Sequence, residues 1–198
     1  MKRDKFSKIE SLKEIKKYSL PYPETVFIFD FEKDEKEIDK FLAGKKIVSI
    51  RSDKKGEPRF CPNIPRCPKV KVKPLVKKIN QQGYAVILHE YLPVKKGRIA
   101  AGHILILKNH ILMELIGSGP VSRLDRQGAV EEIIKFRKND LREVEHFGRK
   151  LTEKGALRKI AKLVKDIPAF KILDFALMKS GVYFYQIQDD KTAQKLKD

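Results

Sequence analysis

The sequence contains no apolar run of the roughly 20 residues that a membrane-spanning helix requires. Its first ten residues, MKRDKFSKIE, also lack the apolar segment of a secretory signal peptide. From these two absences we expect a cytoplasmic protein. With 198 residues, the chain is long enough for one domain, or two small ones, with a buried core.

Cysteine is scarce, and its two positions form no recognisable metal motif. Cys61 and Cys67 flank a short proline-bearing segment, whereas a closed zinc site needs four ligands and usually a Cys-x2-Cys spacing. The four histidines are scattered along the chain and add no ligand motif. Two thiols in a loop are the simplest interpretation, and a local disulfide or a metal site are the alternatives.

Familiar catalytic and nucleotide-binding signatures are missing as well. The sequence has no Walker loop, no GxGxxG and no HExxH, and none of its serines lies in a nucleophile-elbow motif. A catalytic triad therefore finds no support.

Positive charge, by contrast, is abundant. Lys and Arg total 44 against 26 Asp and Glu, so the net charge is +18, which favours nucleotides, nucleic acids, acidic proteins or an anionic membrane surface as partners. The lysines are spread along the whole chain, and 35% charged residues also fit the solvated surface of a thermophilic protein. Charge alone does not choose among these partners.

Hydrophobic periodicity predicts alternating helices and strands in the first half of the chain. The predicted elements are a helix through Phe6, Ile9, Leu12 and Ile15, a strand at 25–29, a helix from Asp34 to Gly44, a strand at 46–51, a loop at 52–72, and a helix with Pro74 near its start that ends at Gly83.

Three short apolar runs in the centre of the chain, at 84–88, 99–107 and 111–116, predict buried strands. The Lys108-Asn109-His110 link between the last two predicts a hairpin, because Asn tolerates the left-handed backbone of tight turns. A Gly-Ser-Gly-Pro turn and Arg123 follow, which suits a bound phosphate. An ordinary surface turn with solvated arginines is the alternative.

The last third predicts two helices and a second hairpin. One helix covers 127–136, with Val130, Ile133 and Ile134 inward, and another runs through Leu157, Ile160, Ala161 and Val164 with a basic outer face. That basic face is either solvated or docks on RNA. Strands at 171–178 and 182–188 form the hairpin.

Polar side chains in this last hairpin form a candidate cation site. Asp174 lies inside the first strand, and Gln186 and Gln188 point the same way from the second because side chains alternate along a strand. An acid and a polar pair on neighbouring strands can converge on a cation or on phosphate-bound Mg2+. A wet sheet face is the alternative.

Taken in order, these segments resemble the ATP-grasp fold of ligases and related enzymes. LPYPET at 20–25 resembles the LPxPxT start of the first lobe, and IVSIRS at 47–52 resembles its phosphate-contacting Lys strand, or the Arg-Ser version of pyruvate phosphate dikinases. HEYL at 89–92 resembles the QEY/F-I strand that holds adenine and ribose, while 102–107 and 109–115 resemble the hairpin of the second lobe. ILDFA at 172–176 and YFYQIQ at 183–188 resemble the closing strands, so the resemblance covers about residues 20–190.

The resemblance implies an α+β, ATP-grasp-like fold of two small lobes with antiparallel sheets, residues 1–92 and 93–198, which together form one ATP-grasp-like unit. It implies ATP and Mg2+ as cofactors. Arg51 and Arg123 would neutralise phosphate charge during catalysis. The implied nucleotide-binding residues are Arg51, His89, Glu90, Tyr91, Leu92 and Arg123, and the implied metal ligands are Asp174, Gln186 and Gln188.

Departures from the family pattern leave three functions open. Gln186-Ile187-Gln188 replaces the family's Glu-x-Asn, and a neutral amide can ligate Mg2+ but brings no charge. The family's Gly-rich phosphate loop and separate N-terminal substrate domain are also not recognisable. The first is an ATP-grasp-like nucleotide-binding protein, which in the active version of the hypothesis is an ATP-dependent ligase that acts through an acyl phosphate on a small-molecule or protein acceptor. The alternatives are a degenerate nucleotide-binding or scaffold domain, and a basic protein that binds RNA or DNA without the aromatic stacking motifs of common RNA modules.

Overall fold

The structure is a computed structural model that describes residues 6–56, 61–93, 97–118 and 128–190. Within these residues the chain forms four α-helices, a short 3-10 helix and ten strands. It divides into two compact units, Met1–Lys13 with Pro23–Leu92, and Glu14–Tyr22 with Pro93–Asp198. No helix in the described ranges is long and apolar enough to span a membrane.

The elements up to Leu92 are three α-helices, a 3-10 helix and four strands. They are α1 (Ser7–Lys17), β1 (Thr25–Ile28), α2 (Phe31–Leu42), β2 (Ile47–Asp53), β3 (Asn63–Pro68), the 3-10 helix (Lys69–Lys71), α3 (Val72–Gln81) and β4 (Ala85–Glu90). The strands form an antiparallel sheet in the order β1-β4-β2-β3. One face of this sheet packs on α2 and α3 through apolar side chains that include Ile38, Val48, Val76 and Leu88.

The start of α2 differs from the prediction. Asp30, not Asp34, is the N-cap, and its side chain accepts hydrogen bonds from the backbone amides of Glu32 and Lys33. Asp34 instead accepts hydrogen bonds from the amides of Phe29 and Asp30, which precede the helix, so two acids bind backbone amides at this helix end. The predicted end at Gly44 is confirmed, since Gly44 has φ +72°, a left-handed conformation that favours glycine.

The predicted loop at 52–72 is wrong over much of its length, because Asn63–Pro68 is β3 and Val72 begins α3. β3 lies at the edge of the sheet and pairs only with β2 among the described strands. An edge strand tolerates proline, whose missing N–H need not enter a ladder. The thiols of Cys61 and Cys67, both described, are not joined in a disulfide. Burial raises the pKa of Cys67.

Asp53, fully buried at the end of β2, fixes the beginning of α1. Its Oδ2 accepts hydrogen bonds from the amides of Lys8 (2.7 Å) and Ile9 (3.0 Å), two of the donors that a helix leaves unpaired at its N-terminus. Lys8 also donates through Nζ to Ser52 O. A carboxylate from a strand thus caps a helix that is distant in sequence.

The elements after Leu92 are mostly strands. They are β5 (Arg98–Ile106), β6 (His110–Ile116), β7 (Glu132–Arg137), β8 (Glu143–Gly148), α4 (Lys154–Val164), β9 (Lys171–Met178) and β10 (Gly181–Asp189). All six strands form one antiparallel sheet in the order β10-β9-β5-β6-β7-β8. The predicted hairpins β5–β6 and β9–β10 are confirmed, and α4 buries the predicted face of Leu157, Ile160, Ala161 and Val164.

The helix predicted at 127–136 is wrong, because Glu132–Arg137 forms β7 and pairs with β6. Apolar residues at 130, 133 and 134 fit a helical spacing, but a short apolar run is ambiguous between helix and strand. In the strand, Ile134 and Phe136 are buried, and Ile133 lies on the opposite face. Residues 132–137 form a strand rather than a helix because the edge of β6 offers them a pairing partner. The local sequence does not reveal that edge.

Candidate functional site

In the first unit, the end of β4 brings together His89 and Thr25, the first residue of β1. These two residues are directly opposite in the antiparallel pair, and His89 Nδ1 lies 2.7 Å from Thr25 Oγ1. The Thr25 hydroxyl donates its single hydrogen to Pro23 O at 2.6 Å. It must therefore accept from His89, so His89 carries its proton on Nδ1 and presents a bare lone pair at Nε2.

His89 is neutral at physiological pH. Burial, and secondly the positive charge of Arg51, lower its pKa to about 3. Only 4% of the residue is exposed, and none of the described groups hydrogen-bonds Nε2. A buried acceptor without a partner costs free energy, so an N–H or O–H donor at Nε2, from a water molecule or from a ligand that reaches it, would be favourable.

The other nucleotide-binding residues predicted in this unit lie close to His89 in the sheet. Arg51 on β2 lies opposite Ile87 of β4 and is therefore diagonal to His89 on the same face of the sheet. This face is turned away from α2 and α3. Glu90 is exposed and donates its backbone N–H to Glu24 O at 2.8 Å, while Tyr91 is half-buried and Leu92 is buried. The structure thus places Arg51 and the 89–92 segment at neighbouring positions.

In the second unit, four polar residues form a row across neighbouring strands, which we name the polar row: Gln186 on β10, Asp174 on β9, His103 on β5 and Glu114 on β6. Each is directly opposite the next in the register. Directly paired residues share one face of a sheet. The neighbours Leu173, Phe175 and Ile104 point to the other face and are fully buried.

One hydrogen bond joins two members of the polar row, and a second joins Gln186 to Gln188 on the same strand. His103 Nδ1 lies 2.9 Å from Asp174 Oδ1, and both side chains are mostly buried, with 11% and 24% exposed. Gln186 Nε2 donates to Gln188 Oε1 at 3.2 Å, so the predicted shared face of the two glutamines is confirmed. Gly102 beside His103 has no room for a side chain, because a Cβ there would overlap the backbone carbonyl of Glu114.

The predicted metal ligands are therefore neighbours, although Asp174 already binds a protein group. Throughout the described ranges, no three His, Cys, Asp or Glu side chains come together as a set of metal ligands. Arg123, predicted to contact phosphate, lies outside the described residues.

Sequence reasoning missed Thr25, His103 and Glu114 as members of these constellations. The position of Thr25 in the LPxPxT-like segment was an available signal. His103 and Asp174 are 71 residues apart and become partners only through the pairing of β5 with β9. No periodicity or short motif encodes such a contact.

Comparisons with known proteins show which fold this geometry belongs to. No protein-family model matches the sequence. A search of curated proteins also finds no match. Solved structures, in contrast, match over nearly the whole chain.

Three of the matching structures illustrate the similarity. D-alanyl-alanine synthetase A from Vibrio cholerae has a TM-score of 0.55 and 10% identity, over 93% of this chain and 55% of its own. A RimK domain ATP-grasp protein from Sphaerobacter thermophilus has a TM-score of 0.55 and 11% identity, over 98% of this chain and 62% of its own. The third is a RiPP-associated ATP-grasp ligase from Chryseobacterium gregarium, in complex with ADP and a leader and core peptide. It has a TM-score of 0.52 and 13% identity, over 91% of this chain and 51% of its own.

The chain is an α+β protein with antiparallel sheets. Its fold is the ATP-grasp fold, which confirms the resemblance inferred from the sequence. The chain spans about half to three fifths of the length of these structures.

Proposed function

We propose that this chain binds ATP with magnesium and acts as an ATP-dependent ligase that activates a carboxylate as an acyl phosphate. The observation that carries the proposal is the polar row on an ATP-grasp fold, with Asp174 and Gln186 directly opposite on the strands that the resemblance marks for the metal. The structural neighbours supply the analogy, since one of them holds ADP with a peptide.

The first unit would bind the nucleotide through the end of β4. His89 Nε2 is a hydrogen-bond acceptor, so it suits a donor such as the exocyclic amino group of adenine. The Glu90 carboxylate is exposed and suits a ribose hydroxyl, while Tyr91 and Leu92 would supply apolar contact. The Arg51 guanidinium would balance phosphate charge, a role that Arg123 would share.

The residues of the second unit fit a magnesium ion that arrives with nucleotide phosphates. Mg2+ prefers oxygen ligands and is often held by one or two carboxylates while phosphate and water complete its shell. Asp174 Oδ2 and Gln186 Oε1 make no hydrogen bond to any described group, so both oxygens remain available. The metal would offset charge on the phosphates, and His103 would hold the Asp174 carboxylate in position.

In the reaction, an acceptor carboxylate oxygen attacks the γ-phosphorus of ATP, the bond to the bridging oxygen breaks, and ADP leaves. An amine or thiol then attacks the acyl carbon and displaces inorganic phosphate. Arg51 and Arg123 would stabilise the negative charge on the phosphoryl oxygens during transfer. The acceptor is a small molecule or a peptide.

A second candidate function is nucleotide binding without catalysis. The observation that favours it is the neutral pair Gln186 and Gln188, which leaves Asp174 as the one carboxylate among the predicted ligands. The variant Gln186→Glu/Gln188→Asn separates the two functions. If magnesium strengthens ATP binding only in this variant, the native chain binds nucleotide without a working metal site.

Calorimetry with ATP, with and without Mg2+, tests the proposal. We expect saturable binding that magnesium strengthens by roughly tenfold or more, and Asp174→Asn should abolish this increment. Glu153→Gln, which removes an equal charge from an exposed position at the start of α4, is the matched control and should behave as the native chain. Absence of ATP binding, or an unchanged magnesium effect in Asp174→Asn, would overturn the assignment.

A further inference from the structure

A cleft at one end of the second unit carries an excess of positive charge. Its volume is about 660 Å3, a size that fits a small molecule. It is lined by the turn between β5 and β6, the turn between β7 and β8, and the residues that follow α4, namely Lys108, Asn109, His110, Arg137, Lys138, Asn139, Lys165 and Asp166. We name this feature the basic cleft.

The basic cleft has fixed walls. The amide of Lys138 donates to Asn109 O at 2.8 Å, which ties the two turns together. Lys138 Nζ donates to Ile167 O at 2.9 Å, which ties the second turn to the segment after α4. Arg158 on α4 also donates to Asp140 O at 3.3 Å. Hydrogen bonds therefore hold all three walls in one arrangement.

The charges in the basic cleft are only partly balanced by the protein. Arg137 makes a two-pronged ion pair with Asp140, and Asp166 is the one acid in the lining. The side chains of Lys108 and Lys165 make no hydrogen bond or ion pair with any described group. These two lysines of the lining thus make no ion pair within the described part of the chain, and Asp166 is the one carboxylate among the eight lining residues.

Lys138 adds a reason for an anion to bind there. Burial lowers the pKa of Lys138, with Asp166 acting in the opposite direction, so its ammonium ion is partly desolvated. A bound anion would offset that cost through a charge-assisted hydrogen bond. The asparagine amides at the two turns are further donors.

We propose that the basic cleft is a phosphate-binding site, separate from the residues assigned to ATP and magnesium. His110 in its lining precedes Glu114 of the polar row by four residues along β6. At about 3.3 Å per residue, these two residues are roughly 13 Å apart along the strand. The phosphate comes either from a free phosphorylated compound or from the backbone of a nucleic acid, and both share the chemistry that the lysines would recognise.

Solution NMR of the whole chain tests this site directly. Inorganic pyrophosphate is titrated at about physiological ionic strength, and the backbone amides of Asn109, Lys138 and Asn139 are followed. We expect saturable shifts at these amides. The double variant Lys108→Ala/Lys165→Ala should weaken binding by roughly tenfold or more, because each lysine supplies a charge-assisted contact.

The matched control is Lys159→Ala/Lys162→Ala, which removes the same charge from exposed positions of α4 outside the cleft lining. It should change the pyrophosphate affinity by less than about twofold. A short oligouridylate titrated in parallel identifies the source. If it shifts the same amides, binds more tightly than pyrophosphate and weakens steeply with salt, the phosphates belong to a nucleic acid. If it leaves these amides unchanged while pyrophosphate shifts them, the ligand is a free phosphorylated compound.

Two results would overturn the proposal. One is no saturable shift of these amides with either probe up to roughly 10 mM, the range in which a weak anion site becomes visible. The other is equal weakening in both double variants, which would show that net charge alone attracts the probe. Neither result bears on ATP binding, because the two experiments rest on different residues.

Discussion

The two units each contain a buried histidine on a sheet, and the surroundings of these histidines are opposite. His89 in the first unit hydrogen-bonds a hydroxyl and lies near the positive charge of Arg51. His103 in the second unit lies 2.9 Å from the carboxylate of Asp174. The same residue type is therefore fixed as a neutral acceptor in one unit and as the partner of an acid in the other.

This contrast shows that the chemical role of a histidine follows from the strand opposite to it. Thr25 on β1 sets the tautomer of His89, and Asp174 on β9 sets the orientation of His103. Neither partner is a sequence neighbour of its histidine. The three experiments below separate the two environments, beginning with the largest expected effect.

Gly102→Ala should disrupt the environment of His103 and leave that of His89 intact. A Cβ at position 102 overlaps the Glu114 carbonyl, so β5 and β6 must move apart, at a cost of about 3 kcal/mol. The measurement is urea unfolding, together with the imidazole NMR signals of both histidines. Gly155→Ala on α4 is the control, because a Cβ there meets nothing within 4 Å. Equal stability of the two variants would contradict the tight approach of β5 and β6.

Acidification should reveal the neutral state of His89. Its pKa is about 3 in the folded chain, whereas an unfolded histidine titrates near 6.5. The unfolded state therefore binds a proton first, and stability falls as the pH drops below about 6.5, toward the folded pKa. Between pH 7 and pH 5, His89 should account for a loss of about 2 kcal/mol.

The free energy of unfolding of the native chain and of His89→Gln, measured at both pH values, tests this expectation. The variant lacks the titrating group, so its stability should fall by about 2 kcal/mol less over the same range. Parallel pH profiles would mean that His89 is not held neutral by its surroundings.

A double-mutant cycle should detect the contact between His103 and Asp174. Each of the single variants His103→Ala and Asp174→Ala loses the hydrogen bond between the two side chains, which involves a charged group. The double variant loses the same bond only once, so we expect its unfolding free energy to differ from the sum of the single effects by about 1 kcal/mol. The matching cycle of His89→Ala and Arg51→Ala at pH 7 should give a coupling near zero, because His89 carries no charge there. Similar couplings in the two cycles would remove the distinction between the histidines.

The sequence predicts the elements whose apolar pattern is long or repeated. α1, α4 and the two hairpins β5–β6 and β9–β10 fall where periodicity places them. β7 and β3 do not, because the apolar run of β7 also fits a helix and the prolines of β3 resemble a loop. Both strands form because a neighbouring strand offers a partner, and that information is not local.

The same limit, that local sequence does not show which strands pair, applies to the candidate site. Gln186 and Gln188 share a face through simple alternation, which a sequence shows. The pairing of Asp174 with His103, and of His89 with Thr25, depends on strand order. The resemblance to ATP-grasp proteins supplied the expected positions, but not the hydrogen-bond partners.

The polar row also bears on how the sheet of the second unit finds its alignment. Gln186 is opposite Asp174 within the β9–β10 hairpin, and His103 is opposite Glu114 within the β5–β6 hairpin. The junction between the two hairpins is the pairing of β5 with β9. Because side chains alternate, a slip of one residue at that junction would turn Asp174 toward the buried side chains around Leu173 and Ile104. An unpaired carboxylate among apolar side chains is strongly unfavourable. The residues that would hold a metal therefore also disfavour every alignment of the two hairpins that is off by one.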